Sequence, residues 1–408
     1  RDRFLGSLCS QDYYFEKYAP FDPDIMSPEE FLGYPIGEMH TRHDLIVSYM
    51  TYLSNVSDKA DMFSYATSYE GRKLIYLIVS SPEKIKNIET IRKSHLSYIK
   101  PDDENYIESI KPTDFPVIIN LGYNVHGNEP SSSEAAMLTA YTLISSKSKE
   151  VQNYLENSIV LIDPTINPDG RDRHTQWVNS YKGSPLVDDP QDAEHNEYWP
   201  GGRTNHYWFD LNRDVLLGIH PETRGKINFH HNWYPNVTMD FHEMGTNSTY
   251  FFVPWKTHAA KDPVIPQENY EYFERLFGEF FAKGLDEIGS MYFSKEAFDK
   301  TYPGYHSSYG DLMGGIGMLF EQASSRGHKQ ETQFGEITFP FTIRNQYISG
   351  MTTIKASVEM KDELIDYQKR FFATAITDAD KKRTKGYSFK MGKDRNCLLY
   401  TSPSPRDR

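Results

Sequence analysis

The chain has 408 residues, is 38% hydrophobic with a mean hydropathy of -0.65, and carries a formal net charge of -13. That length can bury a large core as one α/β domain, with or without an appendage, and no apolar run approaches the ~18 residues of a membrane span. An acidic surface repels nucleic-acid backbones and anionic membranes, and two distant cysteines, Cys9 and Cys397, make neither a disulfide framework nor a zinc knuckle. Small molecules or peptides remain as partners, and any metal must be held by His and carboxylates.

In chain order, the start at RDRF, without Met or signal peptide, reads as a fragment or processed product. Residues 1–30, rich in Pro and aromatics, read as an extended arm packed on a surface. TRHDLIVSYMTYLSNV has apolar residues at helical spacing, and DMFSYATSYEGRKLIYLIVSS gives two strands around a Glu70-Gly71 turn. Residues 83–110 are charged and helix-prone. Then strand and helix alternate: strand 115–123, a helix opening at SSSEAAML with serines suited to capping, strand 158–166, strand 236–244, helix 269–289 and strand 316–324. Alternation predicts an α/β fold, a mixed, mostly parallel twisted sheet between helices, with its site at the carboxyl ends of the strands.

The chemically interesting residues fall at those ends. His126 and Glu129 follow the first of these strands, the sequence NPDG (167–170) follows the second, His242 ends the third, and Glu321 lies late in the fourth. A second His-x-x-Glu pair, His328 and Glu331, has no apolar run before it and reads as the roughly one coincidence expected by chance. Zinc in a hydrolytic site takes three His or carboxylate ligands and keeps one position for water. His126, Glu129 and His242 supply that set, and Glu321 is the carboxylate to move the proton. His242 does not start a zincin helix, because HEMGT carries Thr246 where a second histidine would stand. His230 and His231 precede the strand and read as loop or cap residues.

In order along the chain, SYEGRKL (68–74), His126-x-x-Glu129, NPDG, DLNR (210–213), DFHEMG and FEQAS resemble the zinc carboxypeptidases of the funnelin type, including bacterial members with extra C-terminal regions. The resemblance implies one zinc per chain and hydrolysis of the C-terminal peptide bond of peptides with a free C-terminus. It implies that Asn212 and Arg213 grip the terminal carboxylate, that Asp210 accepts a proton from a ligand His, and that a tyrosine caps the substrate. Tyr302, Tyr305 and Tyr309 are candidates for the cap; order and spacing favour Tyr302, with Tyr305 beside the substrate. The family arginine that polarises the scissile carbonyl has no counterpart after Trp177, where Val178 stands; Arg171, Arg173 and Arg203 are the substitutes, and Arg203 is preferred.

The catalytic domain is expected over residues 31–355, with 356–395 a linker into a truncated region and 396–408 a non-native tail. The resemblance also implies an extracytoplasmic location. A peptidoglycan-peptide or small amino-acid-derivative amidase of the same fold, and an inactive peptide-binding module, are the alternative functions. The floor of the specificity pocket falls in SSYGDLMGG, where Asp311 implies basic C-terminal residues and Gly310 does not. The 14% aromatic content shows no platform-like cluster of tyrosines.

Overall fold

A computed structural model describes residues 11–99, 112–256, 261–384 and 386. Eight strands form one sheet: β1 (Ala60–Thr67), β2 (Lys73–Val79), β3 (Val117–Tyr123), β4 (Ser158–Asp163), β5 (Val237–Met244), β6 (Tyr250–Phe252), β7 (Tyr292–Phe293) and β8 (Ile316–Ala323), in spatial order β1-β2-β4-β3-β5-β8-β6-β7. The centre, β4-β3-β5-β8, is parallel; β1 and β2 run antiparallel to their neighbours, and β6 is antiparallel to β8 but parallel to β7. The Glu70-Gly71 turn closes the β1-β2 hairpin, with Gly71 at φ +80°, a conformation that costs glycine little.

The sheet is covered on both faces, so β3 and β4 are buried along their whole length. Alternate residues serve different cores, as a two-residue repeat dictates. Ile75, Leu77, Val117, Ile119, Val160 and Ile162 face a large core completed by helices His43–Val56, Ser131–Ser145 and Phe339–Glu359. Tyr76, Ile78, Ile118, Ile159 and Leu161 face the helix Pro221–Trp233, whose Phe229 stacks on Tyr76 with centroids 3.7 Å apart. In the first of these helices Ile46, Tyr49, Met50 and Leu53 are buried, the three-and-four spacing of one apolar face. Among the described residues no helix is long and apolar enough to cross a membrane.

Several expectations are corrected. Residues 11–30 are not an extended surface arm: they include the short helices Gln11–Phe15 and Glu16–Tyr18, and Tyr14, Phe15 and Tyr18 are buried in the main core. A boundary at 355 would cut the helix Phe339–Glu359. The next helix, Lys361–Lys381, buries Leu364, Ile365 and Tyr367, and its Gln368 accepts from Asn236 Nδ2 at 2.9 Å, so it belongs to the same body. His230 and His231 lie in the last turn of the helix Pro221–Trp233, not in a loop. KGYSFKMG (385–392), which reads as a strand in the sequence, lies outside the described residues apart from Gly386, as does the whole tail 396–408.

Candidate active site

Two segments deliver the three metal-ligand candidates. The turn after β3 carries His126 and Glu129, and the end of β5 carries His242; each of these residues is at most 6% exposed. One potential ligand atom from each lies within 4.8 Å of the others. The facing atoms are defined: His126 Nδ1 is 2.8 Å from Glu129 Oε1, His242 Nδ1 is 3.1 Å from Glu129 Oε2, and the two Nδ1 atoms are 3.3 Å apart. Both Nε2 atoms point the other way, His126 onto Asp210 Oδ1 at 2.9 Å and His242 onto Asp240 Oδ2 at 2.7 Å. Backing by a carboxylate fixes the tautomer that leaves Nδ1 free to ligate. Two imidazoles and a carboxylate converging in this way fit zinc.

The electrostatics agree. Burial lowers the pKa of both imidazoles, but the facing and backing carboxylates outweigh it and raise His126 and, well above the usual range, His242. Burial likewise opposes the charge on Glu129, and the two rings overcome it and hold that carboxyl far below its ordinary value. Without metal the site therefore keeps protons between its carboxylates, and a bound dication must displace them.

The remaining motif residues build this geometry. Between His126 and Glu129, Gly127 lies so close to the NPDG turn that a Cβ would sit 2.1 Å from Gly170 C. Asn167 caps the helix Pro168–Ser180 by accepting from Gly170 N–H at 3.0 Å, and its Nδ2 donates to Arg203 O at 3.1 Å. Asp169 is held by Ser68 Oγ at 2.7 Å and Arg72 Nη1 at 2.9 Å, which pins SYEGR to NPDG. The serines of SSSEAAML do not cap through their side chains. Instead Ser131 N–H donates to Glu243 Oε1 at 2.8 Å, as does its hydroxyl, filling an orphan donor of the first turn. Glu243 N–H in turn donates to Glu129 Oε2 at 3.0 Å.

Parallel pairing of β5 with β8 sets His242 directly beside Glu321 in register. Burial, followed by the charge of Glu129, pushes Glu321 up to about 7 against the pull of His242 and His126. One cleft is lined by His126, Glu129, His242 and Glu321 together with Arg203, Asn212, Arg213 and Tyr305. Of the three substitute arginines, Arg171 is fully buried on Glu134 (2.7 Å) and Arg173 ties down the carbonyl of Gly201 (2.6 Å); Arg203 alone reaches the cleft, with Nη2 2.9 Å from Asp210 Oδ2. Arg213 is 47% exposed at its side chain and sits over the Tyr305 ring at 4.6 Å.

Four expectations change here. Tyr302 does not line the cleft, because its hydroxyl donates to Arg213 O at 2.8 Å; Tyr305 takes the position at the cleft wall. Tyr309 is turned to His231 Nε2 at 2.6 Å. Asn212 lines the cleft but is largely committed, with Oδ1 accepting from His306 N–H (2.9 Å) and His306 Nδ1 (2.8 Å), and Nδ2 donating to Asp240 (3.0 Å). Asp311 is fully buried on Lys300, Asn269 and Gly317, so it is no floor for a specificity pocket. Several lining or supporting residues were missed, among them Asp240, Asn128 and Arg326. Asp240 carried a readable signal, standing two residues before His242 and hence on the same face of β5. Asn128 and Arg326 carried none, since nothing in sequence separates them from ordinary loop polar residues.

A mixed sheet with a His-Glu-His centre and a half-buried carboxylate at the carboxyl ends of its parallel strands defines a metallohydrolase. A family model described as zinc carboxypeptidase matches residues 46–309, and the chain belongs to that family of peptide-bond hydrolases. Among solved structures, carboxypeptidase A from Helicoverpa armigera is similar at 15% identity, covering 86% of this chain and 80% of that one with a TM-score of 0.52. A metallo-carboxypeptidase from Pseudomonas aeruginosa is similar at 13% identity, covering 79% and 69% with a TM-score of 0.50. At such identities the likeness is one of fold. No curated protein matches the sequence significantly.

Proposed function

We propose that this chain is a zinc-dependent metallocarboxypeptidase that removes the C-terminal residue of peptides. The observation that carries the reading is the shared cleft: ligand set, half-buried Glu321 and an exposed arginine all face one space. His126, Glu129 and His242 hold the metal, with Asp210 and Asp240 orienting the two rings. Zinc bound there supplies a lowered pKa to its water and polarises the scissile carbonyl.

Glu321, set beside His242 by the strand register, accepts the proton of the attacking water and passes it to the departing amine. Arg213 anchors the terminal carboxylate with a guanidinium fork held over the Tyr305 ring. Asn212 contributes its remaining amide hydrogen while its other bonds hold His306 and Asp240, the carboxylate behind His242, in place. Arg203 faces the developing oxyanion, preorganised by Asp210. Tyr305, not Tyr302, caps the bound residue. Met244, Phe298 and Leu319 give the cleft apolar walls, which favour an apolar C-terminal side chain. The catalytic unit extends through the helix Lys361–Lys381.

Paired peptides differing only in a free or amidated C-terminus test the reading. Release of the last residue from the free acid alone supports it; equal cleavage of both makes the enzyme an amidase or endopeptidase.

A further inference from the structure

The segment that carries Arg203 and Asp210 also exposes an uncommon amount of aromatic surface. Tyr198, Trp199, Tyr207, Trp208 and Phe209 are 56–70% exposed. The two indoles pack together with centroids 4.7 Å apart, and Tyr207 packs edge-on against the half-exposed Tyr69 at 4.6 Å. Contiguous apolar surface left in water marks a binding face, whereas scattered exposed residues need no explanation.

This face is built rigidly. Buried Asn205 folds the loop under it: Oδ1 accepts from Tyr207 N–H (3.0 Å) and Phe209 N–H (3.1 Å), and its own N–H donates to Phe209 O at 3.0 Å. Arg173 clamps the same loop by donating to Asn205 O at 3.2 Å. Trp208 is held at φ +64°, uncommon for a large side chain, with its ring turned to water. A rigid, strained loop that places aromatic rings in solvent does nothing for the core.

The face joins the cleft at two points. Asn128, on the cleft wall, donates to Glu197 Oε2 at 3.1 Å, immediately before Tyr198 and Trp199. Phe209 immediately precedes Asp210, which contacts both His126 and Arg203. Arg203 and Arg213, the proposed carboxylate anchor, both reach Asp210 Oδ2, at 2.9 and 3.8 Å, so a peptide whose terminus is held there lies beside the segment that carries these rings, with its upstream residues within reach of them.

We propose that this aromatic face is an extended subsite for apolar or aromatic side chains several residues upstream of the scissile bond, so that the enzyme selects longer peptides with hydrophobic sequences near their C-termini. The inference rests on the carboxypeptidase reading above. Burying two or three such side chains on the rings favours the longer substrate by about tenfold to a hundredfold in kcat/KM.

Three blocked substrates with one common C-terminal residue test it: a dipeptide, a pentapeptide with Phe or Leu at the upstream positions, and the same pentapeptide with Gly or Ser there. The expected order places the apolar pentapeptide well above the other two. Trp199→Ala and Trp208→Asn, the latter chosen because Asn tolerates positive φ, should remove that advantage and leave dipeptide turnover and Tm near those of the parent. Equal rates on the two pentapeptides, or equal losses on every substrate, overturn the proposal. So does sedimentation showing that the substitutions split a dimer, because the face would then cover a second copy. Failure to hydrolyse even the dipeptide refutes the carboxypeptidase reading instead; quenching of Trp fluorescence by the apolar pentapeptide, and not by its Gly/Ser partner, still reads the subsite directly.

Discussion

Asp240→Asn should weaken zinc binding more than Asp210→Asn. Each aspartate backs one imidazole, through contacts of 2.7 Å to His242 and 2.9 Å to His126. Loss of such a backing group lowers metal affinity by about tenfold to a hundredfold, or about 1.4–2.7 kcal/mol. Their surroundings rank the two. Asp240 is 1% exposed, and burial opposes its charge until His242 outweighs it, so its carboxylate acts on the ring with little screening. The Asp210 side chain is 21% exposed and shares its charge with Arg203 and, at 3.8 Å, Arg213. The structure therefore puts Asp240→Asn near the hundredfold end and Asp210→Asn near the tenfold end. Competition with a zinc-chelating dye near neutral pH measures both. Affinities within about twofold of the parent for both variants, or the reverse order, refute the reasoning about the backing carboxylates.

Glu321→Gln should keep its zinc and lose about a hundredfold to ten-thousandfold in kcat, measured on a free-acid peptide. In the metal-free chain the Glu321 carboxyl sits near 7 against an ordinary 4.5, so the fold binds the extra proton between those values. Its contribution to stability is therefore present below about 4.5 and is lost as pH rises toward 7. Metal-free Glu321→Gln should gain on the parent across that window in urea titrations. A bound dication draws the value down, which places the acid limb of kcat/KM below about 7 and removes it from the residual activity of the variant. Arg213→Ala should raise KM for free-acid peptides by about thirtyfold, the worth of a charge-assisted contact of about 2 kcal/mol, and leave amidated peptides unaffected. Gly127→Ala should lower unfolding stability by about 1–3 kcal/mol, since the new methyl meets Gly170 backbone at 2.1 Å; an unchanged urea midpoint would contradict the packing.

The sheet and the convergence of His126, Glu129, His242 and Glu321 on one cleft were legible because strand ends and chemistry coincide. Parallel strands covered on both faces read as apolar runs, and His126, Glu129, His242 and Glu321 interrupt or terminate them where an unpaired polar group is costly. Failures trace to contacts between distant segments. The helix Pro221–Trp233 contains Gly225, a poor helix residue, yet a Cβ there would strike Ala66 and Tyr65 at 2.6 Å: the helix lies directly on β1. Gly350 does the same service against Tyr123 inside the helix Phe339–Glu359, which hid the continuity across residue 355. Tyr302 and Tyr305 are both plausible by spacing, and only the Tyr302 contact with the Arg213 carbonyl separates them. Asp311 looks like a specificity residue until its ion pair with buried Lys300 is seen. The aromatic face was overlooked because its rings come from two separated stretches, 198–199 and 207–209, that meet only in three dimensions.

Zinc content is the most direct measurement of the central claim. Elemental analysis of the purified chain beside His126→Ala and Glu129→Ala should find about one zinc per chain in the parent and almost none in either variant. A parent that neither contains zinc nor takes it up on reconstitution, or variants that keep a full complement, would contradict the assignment of this centre.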